Sequence, residues 1–94
     1  MQKEKIVLPR TTIDIYKSEQ DGCTIYEFDA TECSPPEPMV NTIVMLEQLK
    51  NPTDKLVVTF FHEPAPLFER VSSHYNYESL ALDSGEFKVT FSKK

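Results

Sequence analysis

Four side chains of this sequence combine types and positions that could do chemistry: the thiol of Cys33, the carboxylates of Glu37 and Glu63, and the imidazole of His62. They fall in two proline-rich corners, Thr31-Glu32-Cys33-Ser34-Pro35-Pro36-Glu37-Pro38-Met39-Val40 and Phe61-His62-Glu63-Pro64-Ala65-Pro66. Each corner follows a strand-like run and opens a helix-like one. A thiol near a helix start gains from unpaired N–H groups and the helix dipole, which is how a reactive or sulfur-carrying cysteine is favoured. Asp29, Glu32 and Glu37 oppose this around Cys33, because nearby negative charge disfavours the thiolate. His62 and Cys33 are the metal-ligating pair, with Glu37 and Glu63 as oxygen donors, a set that suits zinc or iron. His62 and Glu63 are adjacent, so at a strand end they point to opposite sides unless the chain turns there. A Glu–His pair could also do acid–base work, although Ser34, Ser72 and Ser73 have no evident histidine partner. The bland alternative is that His62 only hydrogen-bonds across its corner and Cys33 is a small side chain before a proline turn.

The elements that position these residues follow from periodicity. Thr11 to Lys17 is β-branched and alternating, with Ile13 and Ile15 on one face. Asp21-Gly22 signals a hairpin turn into a second strand, Cys23 to Asp29. After the first corner a helix is predicted from about Pro36 to Lys50, since proline is tolerated in a first helical turn. Met39, Ile43 and Leu46, widened by Val40 and Leu49, form its apolar stripe, and Asn51-Pro52 stops it. Lys55 to Phe61 is a nearly continuous apolar run, the mark of a strand covered on both faces. A shorter helix from Pro64 or Ala65 to Tyr75 turns Leu67, Phe68 and Val71 inward and places His74 near its C-terminal dipole. Tyr77 to Leu82 and Phe87 to Phe91 make a closing hairpin.

The resulting order is β-β-α-β-α-β-β: an α+β chain folded as a two-layer α/β sandwich, its sheet mixed and both helices on one face. Residues 1–10 form an N-terminal arm or short leading strand, and residues 11–94 a single domain. A strand–helix–strand crossover makes the flanking strands parallel. Their carboxyl ends then share one sheet edge with both helix N-termini, so Cys33, Glu37, His62 and Glu63 could converge in one shallow cleft. Crevices outside strand carboxyl ends are where open α/β sheets bind ligands.

Composition narrows the functions. Ninety-four residues make one domain able to bury a core unaided. A net charge of −5 argues against nucleic-acid binding, which needs a basic stripe. No apolar run approaches membrane-spanning length and no secretory signal opens the chain, so the expected location is cytoplasmic and both thiols reduced. Cys23 and Cys33, ten residues apart, match no zinc spacing. Among the aromatics, Phe60, Phe87 and Phe91 are expected in the core, and Tyr16 and Tyr26 on the uncovered sheet face, where apolar residues would favour a partner or a homodimer.

Asp29, Pro35-Pro36-Glu37-Pro38 and the later His62-Glu63-Pro64-x-Pro66-Leu67, in this order of elements, resemble the TusA/SirA-like sulfur-carrier superfamily. The likeness runs from about residue 24 to the C-terminus and is nearest to a sister branch known as domain of unknown function 2249. It implies a TusA-like βαβαββ sandwich with four core strands, the first two parallel, to which this chain adds an N-terminal strand. Where the carriers place their persulfide-bearing cysteine this chain has Pro35, and its nearest thiol, Cys33, lies two residues upstream. The function expected is therefore a small non-enzymatic binding or accessory module of sulfur or redox-metal metabolism, with a protein partner. Glu37, His62, Glu63 and Cys33 would be its ligand-contacting residues. The alternatives are a persulfide carrier using Cys33 and a small metal-binding protein using His62.

Overall fold

A computed structural model describes residues 4–6, 13–32 and 37–94. Its elements are β1 (Glu4–Ile6), β2 (Ile15–Gln20), β3 (Cys23–Asp29), α1 (Glu37–Leu46), β4 (Lys55–Phe60), α2 (Ala65–Val71), β5 (Tyr75–Ala81) and β6 (Phe87–Lys93). The strands form one mixed sheet in the order β1-β2-β3-β4-β6-β5. β3 and β4 are parallel, and every other neighbouring pair is antiparallel. The chain is thus α+β. The leading strand β1 lies outside β2, with Ile6 paired to Ile15.

Local chemistry explains the register. Asp21 and Gly22 both take positive φ (52° and 81°), the backbone that a two-residue hairpin turn of the twist-matching kind needs, and Gln20 pairs with Cys23 across it. Once that turn is set, side-chain alternation fixes which residues face the helices. Phe28 aligns with Val58 and Val58 with Val89, while Leu56 aligns with Phe91. These residues join Met45, Leu46 and Leu49 from α1 and its exit, and Leu67, Phe68 and Val71 of α2, in a single buried cluster. Both helices therefore pack into one core with one sheet face, as in a two-layer sandwich. Phe60 and Phe91 are buried as expected, and Phe87 is half-buried.

Several expectations are corrected. Tyr26 shares its row with Leu56 and packs against the core, whereas Tyr16, aligned with Glu27, stands on the opposite face. Val40 is exposed rather than part of the buried stripe of α1. In its place Asn41 and Thr42 are buried, because each side chain donates to a carbonyl one turn back: Asn41 Nδ2 to Glu37 O at 2.8 Å and Thr42 Oγ1 to Pro38 O at 2.8 Å.

The first helix ends at Leu46, short of Lys50. Gln48 N–H and Leu49 N–H turn back to Met45 O (2.9 Å) and Leu46 O (3.2 Å) in tighter i→i+3 bonds, and Tyr75 Oη also donates to Leu46 O at 3.2 Å. The carboxylate of Asp54 then draws the Lys50 and Asn51 N–H groups out of the helical path. The second helix stops at Val71, and β5 begins at Tyr75, two residues earlier than the sequence suggested. Tyr75 packs against the core and Tyr77 stacks on Phe68 with ring centroids 4.1 Å apart, so apolar contact recruits both residues to the sheet. His74 lies beyond α2, its N–H donating to Val71 O at 3.0 Å.

Candidate functional site

Parallel pairing of β3 with β4, in the register Asp29 to Thr59, places the carboxyl ends of both strands at one edge of the sheet. Each strand leads into a helix that returns along the sheet, so α1 and α2 both start at that edge. Glu37 is the first residue of α1, half-buried, and its negative charge sits where the helix dipole favours it. His62 and Glu63 occupy the connection between β4 and α2, and both are exposed. Ala65 N–H donates to Glu63 O (3.0 Å), while Pro64 O accepts from Leu67 N–H (3.0 Å) and Phe68 N–H (3.1 Å), so α2 is opened by backbone bonds with no side-chain cap. Cys33, the remaining candidate, lies outside the described residues, as does Pro36. Topology therefore brings Glu37, His62 and Glu63 to the same edge.

Phe61 belongs to this edge as well. It is 57% exposed, and its ring meets His62 edge-on, with centroids 4.6 Å apart and planes at 88°. The sequence places Phe61 at the end of the strand and the start of the second corner. The strand instead ends at Phe60, whose side chain is the last to reach the core, and the bend that follows turns Phe61 out to solvent.

A shallow concavity of about 350 Å³ lies at the same edge, lined by Ile13, Asp14, Tyr16, Asp29, Thr31 and Glu32. Because β2 runs antiparallel to β3, the start of β2 returns beside the end of β3. Asp29 Oδ1 accepts from Thr31 N (2.8 Å) and Thr31 Oγ1 (2.6 Å), which closes the chain over the end of β3. Asp14 is paired with Lys5 of β1 at 3.2 Å, in the open. The part played by Asp14 and Tyr16 escaped the sequence reading. The usable signal was the Asp21-Gly22 turn, whose register carries residue 14 toward residue 29.

Among the described residues, no three His, Cys, Asp or Glu side chains are gathered as a metal ion would require. No helix of the described residues is long and apolar enough to cross a membrane. No protein-family model, no curated protein and no solved structure matches this chain.

Proposed function

We propose that this chain is a small cytoplasmic binding or accessory module, without catalysis of its own, that recognises a protein partner at the edge where β3 and β4 end. Within this reading the core from β3 onward is a TusA-like βαβαββ sandwich, and β1 and β2 are additions to its free edge. Its setting would be sulfur or redox-metal metabolism. The observation that carries the reading is Phe61: a large aromatic ring, braced edge-on by His62, stands exposed at the edge where both helices start. Aromatic side chains presented on a rigid frame are the usual anchors of protein interfaces. His62 and Glu63 would supply the polar contacts around it, with Glu37 opposite them on α1.

Capture of partners from cell extract tests this. Wild type is compared by isotope-labelled quantification with a Phe61→Ser/His62→Ala variant and with a control, Leu80→Ser, on the exposed surface of β5. The expected result is a specific partner retained by wild type and by Leu80→Ser, and lost by the double variant. Equal recovery with all three would refute the edge reading. Persulfide-donor treatment followed by intact mass measurement separates the sulfur-carrier alternative, which demands an added sulfur that Cys33→Ser abolishes.

A further inference from the structure

The two outer edges of the sheet are built very differently. β1 is three residues long, and two of them, Glu4 and Lys5, are charged. Short, charged edges resist pairing with other chains. β5 is seven residues long, Tyr-Asn-Tyr-Glu-Ser-Leu-Ala, with one charge, no proline and no lysine. Among the described residues its sole strand neighbour is β6, with which it pairs continuously from Tyr75↔Lys93 to Ala81↔Phe87. Among the described residues, the outward backbone N–H and C=O groups of β5 therefore have no strand partner and offer a template for another strand.

We infer that β5 pairs with β5 of a second copy of this chain, in an antiparallel dimer centred on Tyr77. Two identical edges can meet antiparallel only about a two-fold axis perpendicular to the sheet, which keeps the helices of both copies on one side. Opposed residues then come from the same face, and three registers compete. Centring on Glu78 opposes that carboxylate to its own copy, and like charges directly opposite are destabilising. Centring on Ser79 sets Glu78 against Leu80, a charge against an apolar side chain. Centring on Tyr77 sets Asn76 against Glu78 and Tyr75 against Ser79, and brings the two Tyr77 rings together. Tyr77 is 39% exposed although stacked on Phe68, so the pairing covers the remaining rim of a ring already fixed in place. The other uncovered surface, the sheet face away from the helices, carries Tyr16 and Leu80 but also Lys5, Glu27, Lys55, Glu78 and Lys88, and those charges suit solvent better than a second copy. Five paired residues per strand bury less than the roughly 1,600 Å² of a standard interface, so the pairing is a weak one that forms at high protein concentration.

Sedimentation velocity from about 10 μM to about 1 mM, on wild type, Asn76→Lys and Asn76→Glu, tests the pairing. Asn76 is exposed, so neither change disturbs the monomer, and far-ultraviolet circular dichroism checks this. In the Tyr77-centred register each substitution acts twice across the two-fold, opposite Glu78. Asn76→Lys should tighten the dimer and Asn76→Glu weaken it, each by roughly 2- to 30-fold, from about 0.2–1 kcal/mol per cross-strand pair. The proposal is overturned if neither wild type nor Asn76→Lys associates, or if all three associate equally, as they would through the sheet face.

Discussion

Asp54 is a buried acid whose removal should destabilise the fold. It is 5% exposed, and its carboxylate accepts three backbone N–H groups: Thr24 on Oδ1 at 3.2 Å, and Lys50 and Asn51 on Oδ2 at 3.3 and 3.2 Å. One side chain thus ties the exit of α1 to the start of β3, one residue before β4 begins. Hydrogen bonds to a charged group contribute about 1.5–3 kcal/mol each when buried. Thr24 is half-buried and should show that full cost, whereas Lys50 and Asn51 are exposed and water can replace much of theirs. Relief of the buried carboxylate's desolvation offsets part of the loss. Asp54→Ala should therefore destabilise by about 2–3 kcal/mol, a fall in Tm of roughly 10–20 °C for a domain of this size. Asp54→Asn is the sharper probe. Its amide oxygen can still serve Thr24, but its NH2 group then faces two N–H donors, so the loss should approach that of alanine. Urea unfolding followed by circular dichroism measures both variants. A change below about 0.5 kcal/mol for Asp54→Ala, the range of an ordinary surface substitution, or full retention of stability by Asp54→Asn, would refute the reasoning.

Other perturbations separate the packing argument from the site. Tyr77→Ala should cost about 1–2 kcal/mol through loss of the stack on Phe68, while Tyr77→Phe keeps the ring and should be near neutral by thermal unfolding. Gly22→Ala should cost about 1 kcal/mol in urea unfolding; nothing lies within 4 Å of the added Cβ, so the penalty is purely that of φ +81°. His62→Ala should leave the unfolding free energy within about 0.5 kcal/mol of wild type in urea unfolding, as an exposed side chain with no role in opening α2; a larger loss would make His62 a structural residue.

The strands and hairpins were legible because their signals are local. Asp21-Gly22 set one turn, and the alternation of Phe87, Val89 and Phe91 marked a half-buried strand. The parallel β3–β4 pair followed from the length of the crossover. Other features depend on contacts distant in sequence. Asp54 reads as an ordinary loop acid until the chain brings Thr24 beside it, thirty residues away. Asn41 and Thr42 look like the polar face of α1, yet bonds to carbonyls one turn back make them burial-compatible and leave Val40 outside. Tyr16 and Tyr26 are both expected on the uncovered face, yet the register that the Asp21-Gly22 turn sets puts Tyr16 opposite Glu27 and so assigns the two rings to different faces. At the candidate site, the two corners and their residue types were visible from sequence. The exposure of Phe61 was not, because an apolar run gives no sign of which residue is the last to reach the core.

The most direct test of the recognition edge is amide hydrogen exchange of the protein with and without its captured partner. The account predicts added protection in 61–64 and in 29–32, where the two strand ends meet, and little change along the uncovered face of β2 and β3. Protection confined to that face or to β5, with 61–64 exchanging as in the free protein, would contradict it.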